Sequence, residues 1–398
     1  MTVAFQPATL RPRLAVTALF LANGNAIGLW AATIAPIKLE FGLSNFELSM
    51  VLLAFAIGAI LTMTMTGHIQ ARFGSARVTL WSSLAFALVL PLPGLMPNLF
   101  TLAPAILLFG ACNGAMDVAM NGHGAVVERL RGRPIMSSFH AAFSLGCLLG
   151  SGIGRFVLAA GYGPLATMGS ACAFALVLIL AFATSLAVPE AEKPAEASVG
   201  FALPSRAVLL VGGLCFLCMF AEGAIAEWSG VYLVSAAAAT TAVATSGYSG
   251  FAFAMTIGRM LGDRIVHGLG AARVVTFGAA LAALGLALTL AVPRVEIAVI
   301  GYALAGIGIA NIVPVLFSAG GNAVSGHPGV GVAMAATCGY AGFLLSPPLI
   351  GVFAEVFSLR VALISLAVAL AIVALGARPV LMRRTGPSLD STSGGAVH

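Results

Sequence analysis

The chain has 398 residues, of which 60% are hydrophobic and only 8% are charged, and its mean hydropathy is +1.06. Soluble domains carry about 25% charged residues, so this composition excludes a soluble protein and indicates a polytopic membrane protein. The net charge of +6 is spread over helix-connecting positions without a basic patch, which excludes nucleic acid as a partner.

Twelve apolar runs are long enough to cross a bilayer, whose core of about 30 Å needs roughly 20 apolar residues in each helix. The first six predicted spans are 14–37, 46–66, 76–96, 99–124, 135–160 and 163–187. The second six are 207–234, 245–266, 272–292, 295–321, 330–354 and 359–377.

A polar segment divides these spans into six plus six. Residues 188–206, VPEAEKPAEASVGFALPSR, contain three Glu and three Pro. The sequence therefore predicts an N-terminal six-helix bundle over 1–187, a cytoplasmic linker over 188–206, a C-terminal six-helix bundle over 207–378 and a disordered cytoplasmic tail over 379–398.

The basic residues predict the orientation, because cytoplasmic loops carry an excess of Lys and Arg. With the amino terminus inside, the cytoplasmic side holds fifteen of them: Arg11, Arg13, Arg72, Arg77, Arg129, Arg131, Arg133, Lys193, Arg206, Arg259, Arg264, Arg273, Arg378, Arg383 and Arg384. The outer side holds four: Lys38, Arg155, Arg294 and Arg360. Both termini are expected to be cytoplasmic.

The two halves repeat each other in sequence. GHIQARFGSARV at 67–78 aligns without gaps with DRIVHGLGAARV at 263–274, an offset of 196 residues. FHAAFSL at 139–145 aligns with GYAGFLL at 339–345, an offset of 200 residues. Two segments in the same order predict a parallel repeat of six helices.

Two six-helix halves, a polar central linker and a Gly/Arg turn after the second helix of each half resemble the major facilitator superfamily. The turn GHIQARFGSAR is similar to the superfamily's loop motif, with Ala71 where that motif has Asp, and the second half has the fuller GRMLGDR. The resemblance implies an all-α membrane protein of twelve helices in two pseudo-symmetric bundles. It also assigns cytoplasmic gating to the charged residues of these turns: Arg72, Arg77, Arg259, Asp263 and Arg264.

The fourth helix carries a more specific motif, DVAMN. Asp117 is followed four positions later by Asn121, as in fucose:proton symporter-like members of the superfamily. Together with AEGAIAEWSGVYL in the seventh helix, this resembles the bacterial YbjJ-type branch. The resemblance implies that Asp117 carries protons.

Asp117 lies within an apolar helix, where burying a charge costs free energy. A carboxylate near the bilayer centre costs about 3 kcal/mol on insertion scales, and desolvation favours its neutral form. It shares one helix face with Asn113 and Asn121, at steps of four residues. We interpret this face as a proton-coupling or solute-binding surface; the alternative is a structural hydrogen-bond network between helices.

Other ionisable groups are candidate proton partners. His140 lies at a depth similar to Asp117, in a polar stripe of helix five with Ser144, Cys147 and Ser151. Glu222 and Glu227 lie in the seventh helix, five residues apart and so about 140° apart around the axis. The alternatives are packing for the histidine and gating hydrogen bonds for the glutamates.

Neutral amides and aromatic groups are candidates for solute binding, because an amide both donates and accepts hydrogen bonds. The candidates are Asn23, Asn25, Trp30, Asn113, Asn121, Asn311 and Tyr340. Helix one has no carboxylate, unlike that of some sugar symporters of this kind.

No Walker A loop, dinucleotide site or metal motif is present in the sequence, so neither enzyme activity nor a cofactor is expected. We predict a monomeric secondary transporter of the bacterial inner membrane that moves a small, sugar-like or hydroxylated solute with protons. The alternatives are a proton-driven exporter of amphipathic compounds or drugs, and a membrane receptor or scaffold that does not transport.

Overall fold

The computed structural model describes residues 10–132, 135–187, 206–323 and 328–382. Within these ranges the regular structure is helical, as predicted. The helices of the first half are α1 Leu10–Glu40, α2 Asn45–Phe73, α3 Ser75–Val89, α4 Leu99–Arg131, α5 Met136–Ala159 and α6 Pro164–Phe182. Those of the second half are α7 Arg206–Ala237, α8 Thr241–Met260, α9 Gly262–Leu269, α10 Ala271–Ala291, α11 Val295–Ile309, α12 Ile312–Asn322, α13 Pro328–Val356 and α14 Leu359–Leu381.

Eleven segments of the described chain are long and apolar enough to cross a membrane. The remaining predicted span, 245–266, corresponds to α8, which has 20 residues but falls short in apolar character. Its polar residues include Ser249 and Arg259, which both donate hydrogen bonds to α5. Because α8 packs against another helix through polar groups, its sequence is less apolar than that of a lipid-facing span.

Two predicted spans are broken in the structure. Residues 245–266 divide into α8 and α9 at Leu261, and 295–321 divide into α11 and α12 next to Asn311. The breaks meet, because the Asn311 amide donates to the Gly258 carbonyl at 2.9 Å. This side chain competes with helical backbone pairing, which hydropathy does not reveal.

Local sequence sets the helix ends. Ser44 and Glu47 form a reciprocal capping box at the start of α2. Helix α4 ends at Gly132 in the left-handed region, at φ 67°. The Glu128 carboxylate of α4 then accepts from the N–H groups of Ile135 and Met136 at 2.6 and 2.7 Å, so α4 caps the start of α5.

The internal repeat is visible in the backbone. Gly74 and Gly270, 196 residues apart, have φ of 86° and 79° and end α2 and α9. Their N–H groups donate to Gln70 and Val266, which are also 196 residues apart, both at 2.9 Å. A positive φ favours glycine, so both halves use the same residue for the same turn.

Helix packing repeats with the same offset. A Cβ on Gly110 of α4 would lie 1.9 Å from the Phe55 carbonyl oxygen of α2. A Cβ on Gly306 of α11 would lie 2.2 Å from the Phe251 carbonyl oxygen of α8. The residues of the second pair lie 196 positions after those of the first. The same close contact between two helices therefore occurs once in each half, and it requires glycine in both.

The two halves meet mainly through α2 with α13 and through α5 with α8, while α1 also packs against α7 and α8. Ser249 of α8 donates to Ser151 of α5 at 3.0 Å, and Phe46 of α2 donates to Glu355 of α13 at 3.2 Å. We call the end of the bundle that carries Lys38, Phe46 and Glu355 the outer end.

The predicted boundaries between the bundles remain predictions. Residues 188–205 of the predicted linker and the predicted tail from 383 onward lie outside the described part of the structure. Helix α14 continues to Leu381, three residues beyond the boundary predicted at 378.

Candidate functional site

Asp117 lies half-buried in α4 with Asn121 as its neighbour one turn later. The Asn121 amide donates to the Asp117 carbonyl oxygen at 2.9 Å and to its Oδ1 at 3.2 Å. Residues four apart lie on one helix face, so the pairing follows directly from the DVAMN motif. An amide donor can serve a carboxylate or the carbonyl oxygen of a neutral carboxyl group.

Asn23 and Asn113 join α1 to α4. The Asn23 amide donates to Asn113 Oδ1 at 3.1 Å and lies 3.7 Å from the Met116 sulfur. The Asn23 side chain is only 2% exposed. The Asn23 amide therefore joins the two helices and has little access to a solute. The Asn113 side chain remains partly exposed.

Glu222 of α7 forms an ion pair with Arg259 of α8. Arg259 Nη2 lies 3.3 Å from Glu222 Oε1, and the two side chains are 27% and 20% exposed. The other guanidinium nitrogen, Nη1, donates to Ser144 Oγ of α5 at 3.1 Å. Arg259 therefore connects an acid of its own half to the opposite half.

Tyr340 of α13 lies within electrostatic range of both acids. Its side chain interacts electrostatically with Asp117 of the first half and with Glu222 of the second, and it is 47% exposed. His140 of α5 is also exposed, interacts electrostatically with Arg259, and packs edge-on against Phe20 at 5.2 Å between ring centroids.

These side chains form one arrangement between the halves, which we call the central polar cluster: Asp117, Asn121, His140, Glu222, Arg259 and Tyr340. His140 and Tyr340 come from equivalent, aligned positions of the two repeats. The cluster places two carboxyl groups on opposite halves. It also offers amide, imidazole and phenol groups that bind hydroxylated molecules.

The polar stripe of α5 is the face that contacts α8. Ser144 accepts from Arg259, Ser151 accepts from Ser249, and Cys147 contacts the Tyr248 side chain. Tyr248 and Ser249 were not predicted as site residues. Repeated small polar residues on α5 were the available signal, but the sequence alone did not identify their partners.

Three other predicted solute-binding residues are buried. Trp30 is 5% exposed and packs against Phe109 and Phe55, with ring centroids 5.4 and 6.4 Å apart. Asn25 is fully buried, and neither side-chain polar atom has a hydrogen-bond partner. Asn311 is 9% exposed and bonded to the α8 backbone. These placements favour packing roles for Trp30 and Asn311.

Glu227 points to a different neighbour from Glu222. It lies beside Ser346 of α13, and its Oε2 is buried without a hydrogen-bond partner. The angular separation estimated from the sequence therefore places the two glutamates in different surroundings. A proton-coupling role for Glu227 remains a prediction.

The predicted gating residues are dispersed. Arg72 is exposed, with its guanidinium 5.4 Å from the Phe73 ring centroid, and Arg77 and Arg264 are exposed as well. The Asp263 side chain lies outside the described part of the structure. Arg259, predicted as a cytoplasmic gate residue, pairs with Glu222 in the central polar cluster, and its gating role remains a prediction.

In the described part of the chain, no group of three or more His, Cys, Asp or Glu side chains is placed to hold a metal ion. The cluster acids are paired with an arginine and an amide. The arrangement offers carboxyl, amide and guanidinium groups for hydrogen bonding.

Comparison with known proteins finds a family of membrane transporters. A profile of the Major Facilitator Superfamily matches residues 14–268. An uncharacterised MFS-type transporter of Yersinia pestis is 37% identical over 361 residues, covering 91% of this chain and 94% of that protein. Membrane protein MosC of Rhizobium meliloti is 33% identical over 355 residues, covering 88% of this chain and 86% of that protein.

Solved structures with the same fold are more distant in sequence. A mutant of the nucleoside transporter NupG superposes with a TM-score of 0.75 at 14% identity, covering 94% of this chain and 99% of that one. A bacterial homologue of the human lysosomal transporter Spinster superposes with a TM-score of 0.73 at 14% identity, covering 97% and 100%.

Proposed function

Because this chain belongs to the Major Facilitator Superfamily and is a transporter of small-molecule solutes rather than an enzyme, we propose that it moves a sugar-like or hydroxylated solute together with protons. The observation that carries the proposal is the central polar cluster. Asp117 and Glu222 stand on opposite halves, and Tyr340 interacts with both. Rocking of the halves changes the separation of these charges.

The two acids have different partners and therefore different proposed roles. Glu222 forms an ion pair with Arg259, so its carboxylate already has a positively charged partner in the structure. Asp117 is bonded to the Asn121 amide, which can donate to either protonation state. Asp117 is thus the group that can change its charge without losing its hydrogen bond, and we assign it the role of proton carrier.

The polar groups of the central polar cluster, together with Asn113, support a hydroxylated solute. Asn113 and Asn121 offer amide groups, Tyr340 offers a phenol and His140 offers an imidazole. Each forms a hydrogen bond to a hydroxyl group without requiring a charge on the solute. Protonation of Asp117 would change the polarity of the same surface, which links solute affinity to proton occupancy.

The proposed setting is the inner membrane of a bacterium, with a monomer whose two termini are cytoplasmic. The bacterial relatives and the excess of basic residues on one side support it. In this orientation the outer end faces away from the cytoplasm. The hydrogen bonds from Phe46 and Ser249 to the opposite half then describe a state closed toward the outside.

The test is electrical recording from proteoliposomes on a solid-supported membrane, with a panel of sugars, polyols and nucleosides. The wild type is compared with Asp117→Asn and with Glu296→Gln, a control that removes an exposed carboxylate at the start of α11. A solute-evoked current in wild type and control that is lost in Asp117→Asn supports the proposal. Equal currents in all three proteins would refute the role of Asp117, and silence across the panel would favour an exporter.

A further inference from the structure

The outer end contains a contact between the halves that has no part in the central polar cluster. Glu355, close to the end of α13, accepts a hydrogen bond from the backbone N–H of Phe46 in α2, with 3.2 Å between nitrogen and Oε2. The two residues are 309 positions apart and belong to opposite halves. A carboxylate of one half thus caps a helix of the other.

The start of α2 is built to receive this carboxylate. The first N–H groups of a helix lack intrahelical partners and carry partial positive charge. Within the capping box, Ser44 Oγ accepts from the Glu47 N–H at 3.1 Å and Glu47 Oε2 accepts from the Ser44 N–H at 2.9 Å. The N–H of Phe46, between them, is bonded to Glu355.

Lys38 adds a positive charge at the same place. Its ammonium donates to the Leu43 carbonyl at 2.5 Å and interacts electrostatically with Glu355 and Glu47. Glu355 therefore faces two sources of positive potential on the first half, the ammonium group and the helix terminus.

Gly351, one turn before Glu355, sets how closely the helices approach. A Cβ at this position would lie 2.0 Å from the Ser49 Cβ and 2.9 Å from the Asn45 carbonyl oxygen. Ser49 is fully buried and its hydroxyl is bonded to the Phe46 carbonyl at 2.7 Å. The contact has no room for a side chain, so it depends on glycine.

We propose that Lys38, Asn45–Ser49 and Gly351–Glu355 form an outer latch that holds the halves together in this state and must open before solute enters from the outer side. The proposal rests on the alternating movement assumed in the proposed function. It does not depend on Asp117, on protons or on the identity of the solute. Its test can therefore fail while the proposed coupling stands, and the reverse also holds.

The experiment is hydrogen–deuterium exchange of the full-length protein in lipid nanodiscs without solute. Glu355→Gln keeps a carbonyl acceptor but removes the charge. We expect exchange to rise about two- to fivefold, the size expected for one exposed charge at a helix terminus. The rise should occur in the outer turns of α2 and also in those of α5 and α8, around Ser151 and Ser249. If exchange rises only in the first turn of α2, Glu355 is a local helix cap that does not hold the halves together, and the latch proposal is wrong.

The glycine contact gives an independent test with a rescue. Gly351→Ala should raise exchange at the same outer turns more strongly, because the new Cβ overlaps Ser49. Adding Ser49→Gly should lower it again. Gly213→Ala in α7, where a Cβ meets nothing within 4 Å, is the matched control and should match the wild type. Unchanged exchange in Gly351→Ala, or no recovery in the double variant, would contradict the latch.

Discussion

Removing both partners of the Glu222–Arg259 pair should destabilise the protein by less than the sum of the two single removals. In Glu222→Gln the guanidinium loses its ion-pair partner, and in Arg259→Gln the carboxylate does. The double variant leaves two neutral amides that can bond to each other. A double-mutant cycle isolates the interaction from the separate effects of each change.

The magnitude follows from the 3.3 Å separation of the charged atoms. Coulomb's law gives about 5 kcal/mol at an effective dielectric constant of about 20, and about 1.3 kcal/mol in water. The side chains are 27% and 20% exposed, so solvent screens part of this attraction, and desolvation offsets more of it. We expect a coupling free energy of about 1–2 kcal/mol.

The assay is reversible unfolding of the purified protein in mixed micelles, followed by tryptophan fluorescence for wild type, both single variants and the double variant. Ser144→Ala serves as a separate probe of the hydrogen bond from Arg259 to α5. The expected result is a double variant more stable than the sum of the single effects predicts. Additive effects within about 0.5 kcal/mol would refute the reasoning and show that the pair contributes no net stabilisation.

Three further predictions concern the cluster and its support. Tyr340→Phe should lower solute uptake by about tenfold without changing the unfolding temperature, since the ring is 47% exposed; equal uptake would exclude the hydroxyl from solute binding. Gly110→Ala should destabilise the protein by about 1–3 kcal/mol, because its Cβ would lie 1.9 Å from the Phe55 carbonyl oxygen, while Gly169→Ala, with open space around it, should be neutral in unfolding assays. Trp30→Ala should cost about 3–5 kcal/mol, whereas Trp30→Phe should preserve both stability and uptake; lost solute binding in a stable Trp30→Phe protein would restore Trp30 as a ligand residue.

The sequence predicted the all-helical fold and the parallel repeat because both depend on strong local signals. Apolar runs of membrane-spanning length are unambiguous, and Gly74 and Gly270 mark equivalent turns. The breaks at Leu261 and Asn311 were not predicted. At these breaks the Asn311 amide donates to the Gly258 carbonyl, a contact between residues 53 positions apart that no periodic pattern encodes.

The sequence identified the acidic residues of the site but not the side chains with which they pair. Asp117 and Glu222 were identifiable because a charge within an apolar run is costly and therefore conspicuous. Hydropathy does not fix helix rotation, so it did not reveal that Glu222 faces Arg259 while Glu227 faces Ser346. Arg259 was grouped with the loop motif by its neighbours in sequence, yet its long side chain reaches the cluster.

Asn23 and Trp30 illustrate the opposite difficulty. Both residue types were predicted to bind solute, but the Asn23 amide bonds to Asn113 and the Trp30 ring packs against Phe109. Whether a polar or aromatic side chain faces a cavity or a neighbouring helix depends on tertiary packing. Composition alone does not distinguish the two.

The central claim, that Asp117 ties proton movement to solute movement, is tested most directly by separating exchange from net transport in proteoliposomes. With a solute identified by the electrical panel, uptake driven by a pH gradient is compared with solute counterflow at equal pH, for wild type and Asp117→Asn. The account predicts that Asp117→Asn loses gradient-driven uptake and keeps counterflow. Gradient-driven uptake that persists in Asp117→Asn would contradict it.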